Sequence, residues 1–597
     1  MSGAVGHSSG LWPALLRRMA PTERQRLFGL TVAIGGVCGL AAVAFHLAIG
    51  AISHRAIDRA FAFGGHAWIP AVIVVTAFGA LFAGIVMYAV APGARGSGIP
   101  QVKAAYALGG RVPLRDAVAK FALAAVQLGT GSSLGREGPT VQICAGVATW
   151  LGRLARVSAQ NLRLLLPVGA AAGVAAAFNA PLAAVTFTIE EVIGTLDPTM
   201  LSGVVVAAAL AAVIEHGLLG GAPVLSIPVG YGLGHPSALV FYALLGIAAG
   251  VASLAFSSSL LGLRAWTARQ HRVPGWARPA LGGLATGAIA VCAMLAVERR
   301  GIDGGGYDTL TDALAGMVPL QAMLVLGLLK LAATATSYGS GGSGGLFAPS
   351  LFVGGMLGGA IGFLDVTVFG PGHAELGAFA VVGMGAVFAG TVRAPITSIL
   401  IIVEMTGGYA LVLPLMIANI TAYAIARHVS PVPIYEALLL QDGIDLHRRA
   451  STTETVSVPL PAPELLRPRC FAPDDGVERL VAAVEVSGRQ EVFPVVDRDG
   501  RLRGVITIGD LAELADARDA GDLVRAVDVM RPPIAVRADE PAARALELMH
   551  ETGLRQVPMT DGAGAVIGLT EEVTLARAYL QARRAAARAA TATPPAH

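Results

Sequence analysis

The chain is short of charge. Asp, Glu, Lys and Arg make up only 14% of its 597 residues, against roughly 25% in an average soluble protein. With 54% apolar residues and a mean hydropathy of +0.65, this shortage excludes a soluble enzyme, and the apolar content excludes intrinsic disorder. The net charge of +3 is spread out with no basic stripe, so nucleic acid is not a partner. Cysteine is scarce as well. Cys38, Cys144, Cys292 and Cys470 stand far apart, three of them in apolar runs. Such spacing reads as buried small hydrophobes and offers neither a disulfide framework nor a zinc site. The paired-histidine pattern of a zinc protease begins only at His550-Glu551, and Leu554 stands where the second histidine is required. No metal and no enzymatic activity are expected.

Long stretches lack charge altogether. None occurs between Arg26 and Arg55, between Arg59 and Arg95, or between Glu215 and Arg264, and each gap exceeds the ~20 residues that cross a bilayer core. The first run is too long for a signal peptide and has no small-residue cleavage site, so it reads as a retained span. Arg17, Arg18, Arg24 and Arg26 precede it and put the N-terminus in the cytoplasm by the positive-inside bias. Given an even number of crossings, the polar C-terminal part lies on the same side.

Glycine is plentiful, at 75 residues, without any collagen-like period. Three glycine-containing turns are closed by proline and followed by apolar runs: GSGIP (Gly96 to Pro100), GREGP (Gly135 to Pro139) and GGLFAP (Gly344 to Pro349). Proline suits the first turn of a helix, so three helices are expected to begin within the membrane part, each presenting free N–H groups and a positive dipole end. Irregular backbone at membrane depth must be buried in protein or line a cavity. Converging helix N-termini would form an anion site without fixed positive charge.

The chain also repeats itself. Val168 to Glu190 aligns without gaps on Val382 to Glu404, with Ala-Pro followed in both copies by an apolar run ending in glutamate. Two related halves suggest a transporter-like architecture with its site between them. The position after the shared glutamate is Glu191 in the first half and Met405 in the second. The repeat therefore needs one glutamate and does not need Glu191, which is either a cytoplasmic surface charge or a proton-handling group.

GSGIP, GREGP, GGLFAP and the late Tyr435, in this order and spacing, resemble the CLC chloride channels and proton-coupled chloride antiporters, from about Arg24 to Leu440. The resemblance implies an all-α polytopic membrane fold of two inverted repeats with broken re-entrant helices, and a homodimer with one anion pathway per subunit in the lipid bilayer. It implies chloride held by the hydroxyls of Ser97 and Tyr435 and the backbone N–H groups of Leu346 and Phe347. Glu137 matches the family's gating glutamate, and Glu191 the internal proton relay of its antiporters, beside Glu190. Arg136 and Lys120 match positions near the pathway, Lys120 alternatively packing its stem and snorkelling its charge. Chloride/proton antiport is the expected function, with a passive voltage- or pH-gated chloride channel as the alternative. Ser97 stands where nitrate exchangers carry proline, and fluoride-selective relatives have altered motifs, so chloride is favoured.

After Leu446 the composition changes, and Pro459, Pro461, Pro463 and Pro468 mark a linker. Beyond it, Glu491 to Leu511 and Arg555 to Leu575 repeat a strand, turn, strand and helix pattern, with Asp499-Gly500 and Asp561-Gly562 as turn signals. These resemble a C-terminal α/β pair of CBS domains. The resemblance implies a regulatory role and makes Thr507 and Asp510 candidate contacts to an adenine nucleotide; no other cofactor is expected. The organisation read from the sequence is a cytoplasmic N-terminal segment (1–26), a membrane transport domain (27–446), a linker (447–469), CBS domains (470–520 and 521–580) and a disordered tail (581–597). High Ala, Gly and Arg usage suggests a bacterial inner membrane, with both termini cytoplasmic.

Overall fold

The computed structural model describes residues 23–194, 198–220, 225, 231–370, 372–446, 458–463, 467–485, 488–516, 524–578 and 581–582. The expectations for the N-terminal segment before residue 23, for much of the linker and for a disordered tail beyond residue 582 lie outside the described residues. The chain divides into two compact units, residues 1–446 and 447–597.

The first unit is helical. Its principal helices fall into two runs of eight. The first run is α1 (Glu23–Arg55), α2 (Trp68–Ala89), α3 (Ile99–Ala107), α4 (Leu114–Gly129), α5 (Glu137–Leu154), α6 (Ala159–Phe178), α7 (Pro181–Phe187) and α8 (Pro198–Leu219). The second is α9 (Ala238–Arg269), α10 (Arg278–Val297), α11 (Tyr307–Leu314), α12 (Leu320–Gly339), α13 (Phe347–Phe369), α14 (Leu376–Val392), α15 (Pro395–Thr406) and α16 (Val412–Val429), followed by the unpaired α17 (Ile434–Gln441). Each helix of the first run has its counterpart about 210 residues later, so the repeat extends well beyond the segment legible in sequence. Among the described residues, nine stretches are long and apolar enough to span a membrane.

The halves meet through reciprocal contacts. Gly135 N–H donates to Gly345 O at 2.8 Å, and Gly345 N–H to Gly135 O at 2.7 Å, in an antiparallel bridge. Glu190 accepts from the backbone N–H groups of Ile396 (3.3 Å) and Thr397 (2.8 Å) at the start of α15. Glu404 returns the favour at the start of α7, accepting from Leu182 (3.0 Å) and Ala183 (2.7 Å). Contacts of residue i with j, matched by j with i, are the mark of a twofold axis. An antiparallel bridge between these equivalent glycines is what such an axis requires.

Helix packing relies on small residues, as expected where no hydrophobic force drives helices together in lipid. A Cβ on Gly358 of α13 would lie 2.1 Å from Phe379 O on α14, and one on Gly354 2.3 Å from Gly383 O. Cys38 and Cys144 are buried face to face, whereas Cys292 is exposed on α10; it lies on the face of α10 opposite the buried Gly283, Gly287 and Ala290, so the expectation of burial fails there.

The second unit holds α18 (Val477–Glu485), strands β1 (Val492–Val496) and β2 (Leu502–Thr507), α19 (Ile508–Asp516), β3 (Val536–Arg537), α20 (Ala542–Thr552), β4 (Gln556–Thr560) and β5 (Val566–Glu571). β1 and β2 form an antiparallel pair, as do β4 and β5, with β3 parallel to β4. Reciprocal bonds recur: Leu502 N–H donates to Gly564 O and Val566 N–H to Gly500 O, both at 3.1 Å. In the second hairpin the left-handed turn residue is Gly564 (φ +83°), not Gly562. Asp561 sets that turn, its Oδ1 accepting from the N–H groups of Ala563 and Ala565.

Candidate functional site

The glycine turns are stitched together by backbone hydrogen bonds. Gly96 N–H donates to Gly342 O and Gly344 N–H to Gly96 O, both at 3.1 Å, while Gly135 and Gly345 pair as above. The turns before α3, α5 and α13 therefore meet, and so do the N-termini of those helices. Their approach leaves no room for side chains. A Cβ on Gly138 would lie 2.5 Å from Ser97 O and 2.6 Å from Ser97 Oγ, and Gly98 adopts φ +103°, which disfavours any other residue. Each helix end carries about half a positive charge on unsatisfied N–H groups.

Around this junction lie buried polar groups with no protein partner among the described residues: Ser97 Oγ, Tyr435 Oη and Glu137 Oε2. Ser97 N–H itself donates to the Tyr338 hydroxyl at 3.2 Å, which orients the turn and leaves the Ser97 hydroxyl free. Tyr435 sits in the first turn of α17. Leu346 and Phe347 start α13, and the Phe347 ring packs on those of Phe388 (centroids 4.3 Å apart), Phe178 and Phe187 (5.3 Å each). The junction is thus walled by aromatic rings and lined by neutral donors. Ser97, Tyr435, Leu346, Phe347 and Glu137 are brought together.

Glu137, the first residue of α5, is fully buried. Its Oε1 accepts from the Tyr307 hydroxyl at the start of α11, a partner that sequence reading misses. Beside it opens a cavity of about 520 Å³ whose lining includes His46, Asp58, Arg136, Arg300 and Tyr307. Arg136 donates to Ala177 O at 3.0 Å and contacts His46, holding the N-terminus of α5 against α6 and α1.

Glu191 lies on the Tyr435 side of this junction. It sits on a π-helical turn, Thr188–Ile193, that continues α7. Such π-helical turns occur often at functional positions. Glu190 caps α15, whereas Glu191 is 4% exposed and accepts from Lys103 Nζ at 2.8 Å. A surface charge is thereby excluded. Lys103 is the lone charge between Arg95 and Arg111, a signal available in the sequence but unused.

Lys120 corrects the snorkelling expectation. Its ammonium is fully buried and donates to Ala94 O at 3.1 Å and to Gly96 O. Lys330, its counterpart in the second half, donates to the carbonyls of Gly301, Ile302 and Gly304 at 2.8–2.9 Å. Each lysine braces the loop ahead of a short helix, α3 or α11, because the carbonyls there have no regular ladder to join.

In the second unit, Asp510 Oδ2 accepts from Thr507 N–H and Oγ1–H, both at 2.8 Å. Arg531 grips the same carboxylate with two nitrogens, at 2.7 and 3.1 Å. Burial opposes ionisation of Asp510, but Arg531 and Thr507 outweigh it and hold the carboxyl below the usual range.

Comparison with known proteins agrees with this architecture. The family model described as voltage gated chloride channel matches residues 79–427, and CBS domains match residues 467–516 and 524–580. Among solved structures, a slow cyanobacterial Cl−/H+ antiporter is 26% identical, covering 72% of this chain and 98% of its own, with a TM-score of 0.64. A eukaryotic CLC transporter (21% identity; 92% and 97% covered; TM-score 0.60) and a CLC-type fluoride/proton antiporter (22%; 69% and 97%; 0.56) share the fold. With two helical halves around buried helix N-termini, a family match over most of the membrane unit and two CBS domains behind it, the chain belongs to the voltage gated chloride channel family and is an integral, multi-pass membrane protein of chloride transport.

Proposed function

We propose that the protein exchanges chloride for protons. The observation that carries this reading is the meeting of three helix N-termini at the buried Ser97 and Tyr435 hydroxyls, with an ionisable Glu137 among them and a second buried glutamate, Glu191, on the Tyr435 side. Chloride is held by the Ser97 and Tyr435 hydroxyls and the N–H groups of Leu346 and Phe347. Neutral donors replace its hydration shell yet let it leave. The ionised Glu137 carboxylate is satisfied by the same helix ends as chloride, so the two alternate, and protonation removes the charge that keeps Glu137 there. Glu191 supplies the proton from the side of Lys103. Glu190, engaged at the α15 N-terminus, serves the fold.

By the positive-inside bias both termini are cytoplasmic, in a bacterial inner membrane. Leu182 and Ile396, 60% and 58% exposed beside the reciprocal caps, offer matched apolar faces for a homodimer. The C-terminal unit serves regulation. Thr507 and Asp510 take an adenine nucleotide only when Arg531 yields, and nucleotide-dependent heat on titrating the full chain tests this. The full chain in vesicles given a chloride gradient is expected to drive protons uphill; chloride flux without proton movement favours the passive channel instead.

A further inference from the structure

Tyr307 reaches Glu137 from the other half of the repeat, and the segment that carries it, residues 298–306 between α10 and α11, is fastened from several sides. Lys330 grips the carbonyls of Gly301, Ile302 and Gly304. Gly304 N–H donates to Ser132 O at 3.1 Å, and Arg300 pairs with Asp58 at 3.0 Å and with Asp303 at 2.5 Å. Gly306, with φ +76°, ends the segment where a Cβ would lie 2.6 Å from Gly301 O and 2.7 Å from the Phe352 ring. On Gly305 a Cβ would stand 2.7 Å from the Tyr307 ring itself, and the Arg136 guanidinium lies 5.8 Å from the centre of that ring. The position of the Tyr307 hydroxyl is therefore set by the backbone before it and by the groups against its ring.

The repeat gives this position a meaning. α11 is the counterpart of α3. Both helices follow a glycine of positive φ, Gly98 at +103° and Gly306 at +76°, and both lead-in loops are braced by a buried lysine, Lys120 or Lys330. In the first half this element presents Ser97 to the junction; in the second it presents Tyr307 to Glu137. The two oxygens of that carboxylate meet different surroundings. Oε1 accepts from the tyrosine hydroxyl. Oε2 is buried with no protein partner among the described residues and lies toward the meeting helix ends: a Cβ on Gly135 would collide with it and would stand 3.2 Å from the backbone nitrogen of Ala348 in the first turn of α13. Chloride is a single atom. In the place of Oε2 it has no second atom to offer Tyr307. The bond on Oε1 is thus a contact that the carboxylate makes and its competitor lacks, and only such a differential contact shifts an equilibrium between two occupants. A donor to an ionised carboxylate is also roughly twice as strong as one to a neutral acceptor.

We propose that Tyr307 is a positioning residue for Glu137: its hydroxyl latches the ionised carboxylate at the junction and so raises the chloride concentration needed to displace it. The latch rests on the reading of Glu137 as the group that alternates with chloride. It spans the two halves, since Glu137 opens α5 in the first and Tyr307 opens α11 in the second.

The test is calorimetric titration of chloride into the full chain in detergent, with wild type, Tyr307→Phe, Glu137→Ala and the double variant, each checked by its melting curve. Tyr307→Phe removes one oxygen and is expected to tighten chloride binding roughly threefold or more. In the Glu137→Ala background there is no carboxylate to hold, and the same change is expected to alter binding by less than about twofold. In vesicles the half-saturating chloride concentration of Tyr307→Phe is expected to fall by the same factor, whereas damage to the fold lowers maximal flux and leaves that concentration in place. Equal tightening in both backgrounds, or none in either, overturns the latch. Weaker binding in both backgrounds overturns it in favour of a hydroxyl that touches chloride directly. If Glu137→Ala by itself leaves chloride binding and proton flux at wild-type values, the alternation of Glu137 with chloride falls, and the latch with it.

Discussion

Two adjacent glutamates on one π-turn do different work. Glu190 is consumed by the backbone N–H groups of α15, as Glu404 is by those of α7, and such caps contribute about 0.5–2 kcal/mol when replaced by alanine. Glu190→Ala and Glu404→Ala are therefore expected to lower thermal stability in detergent by similar amounts while leaving the ratio of proton to chloride flux intact. Glu191→Gln is expected to separate the fluxes instead. Neutralising one partner of the buried Lys103 pair lowers stability by about 1–3 kcal/mol, chloride still moves, and proton flux stops. Equal loss of both fluxes makes Glu191 a structural residue. Tyr307, the partner of Glu137, carries no pattern in sequence, and Lys103, the partner of Glu191, stands out there only as a lone charge. Lys103 and Glu191 come from distant helices of one half, whereas Tyr307 and Glu137 pair only once the halves are folded together.

At the scale of elements, the helices that begin in the membrane part were legible because glycine and proline have fixed positional meanings. GSGIP, GREGP and GGLFAP do open α3, α5 and α13. Their meeting point was not legible, since it depends on backbone bonds between Gly96 and Gly344 and between Gly135 and Gly345, which one stretch of sequence cannot disclose. The gapless repeat at Val168 and Val382 was visible, whereas Lys120 and Lys330 escaped because the spacing between the halves changes along the chain. The junction's tightness makes a sharp prediction. In Gly138→Ala the new methyl group meets Ser97 O and Oγ inside contact distance. Overpacking of this kind costs about 1–3 kcal/mol, so chloride flux is expected to fall roughly tenfold or more, with size-exclusion profiles showing a folded chain. In the C-terminal unit, Asp510 has its folded pKa depressed. Its contribution is present above the unfolded carboxylate value of about 3.9 and is lost as pH falls through the lower folded value. Melting curves of the full chain between pH 3 and 6, approximate bounds chosen around that value, are expected to show a smaller acid loss in Asp510→Asn than in wild type.

On the whole-molecule scale, one arrangement recurs: two copies of a unit joined by reciprocal backbone bonds across a local twofold axis. The membrane halves meet at the Gly135–Gly345 bridge beside Glu137, and the CBS copies at the Gly500 and Gly564 turns. Low charge content makes the arrangement readable, because several buried charges within the membrane unit have an identifiable partner. Lys120 and Lys330 brace loops, Glu190 and Glu404 cap helices, and we propose that Glu137 and Glu191 handle protons. That last assignment is the central claim, and the zero-current voltage tests it most directly. With chloride equal on both sides of a planar bilayer holding the full chain, a pH gradient is expected to displace that voltage from zero. A voltage that stays at zero under the pH gradient and follows only the chloride gradient contradicts proton-coupled exchange.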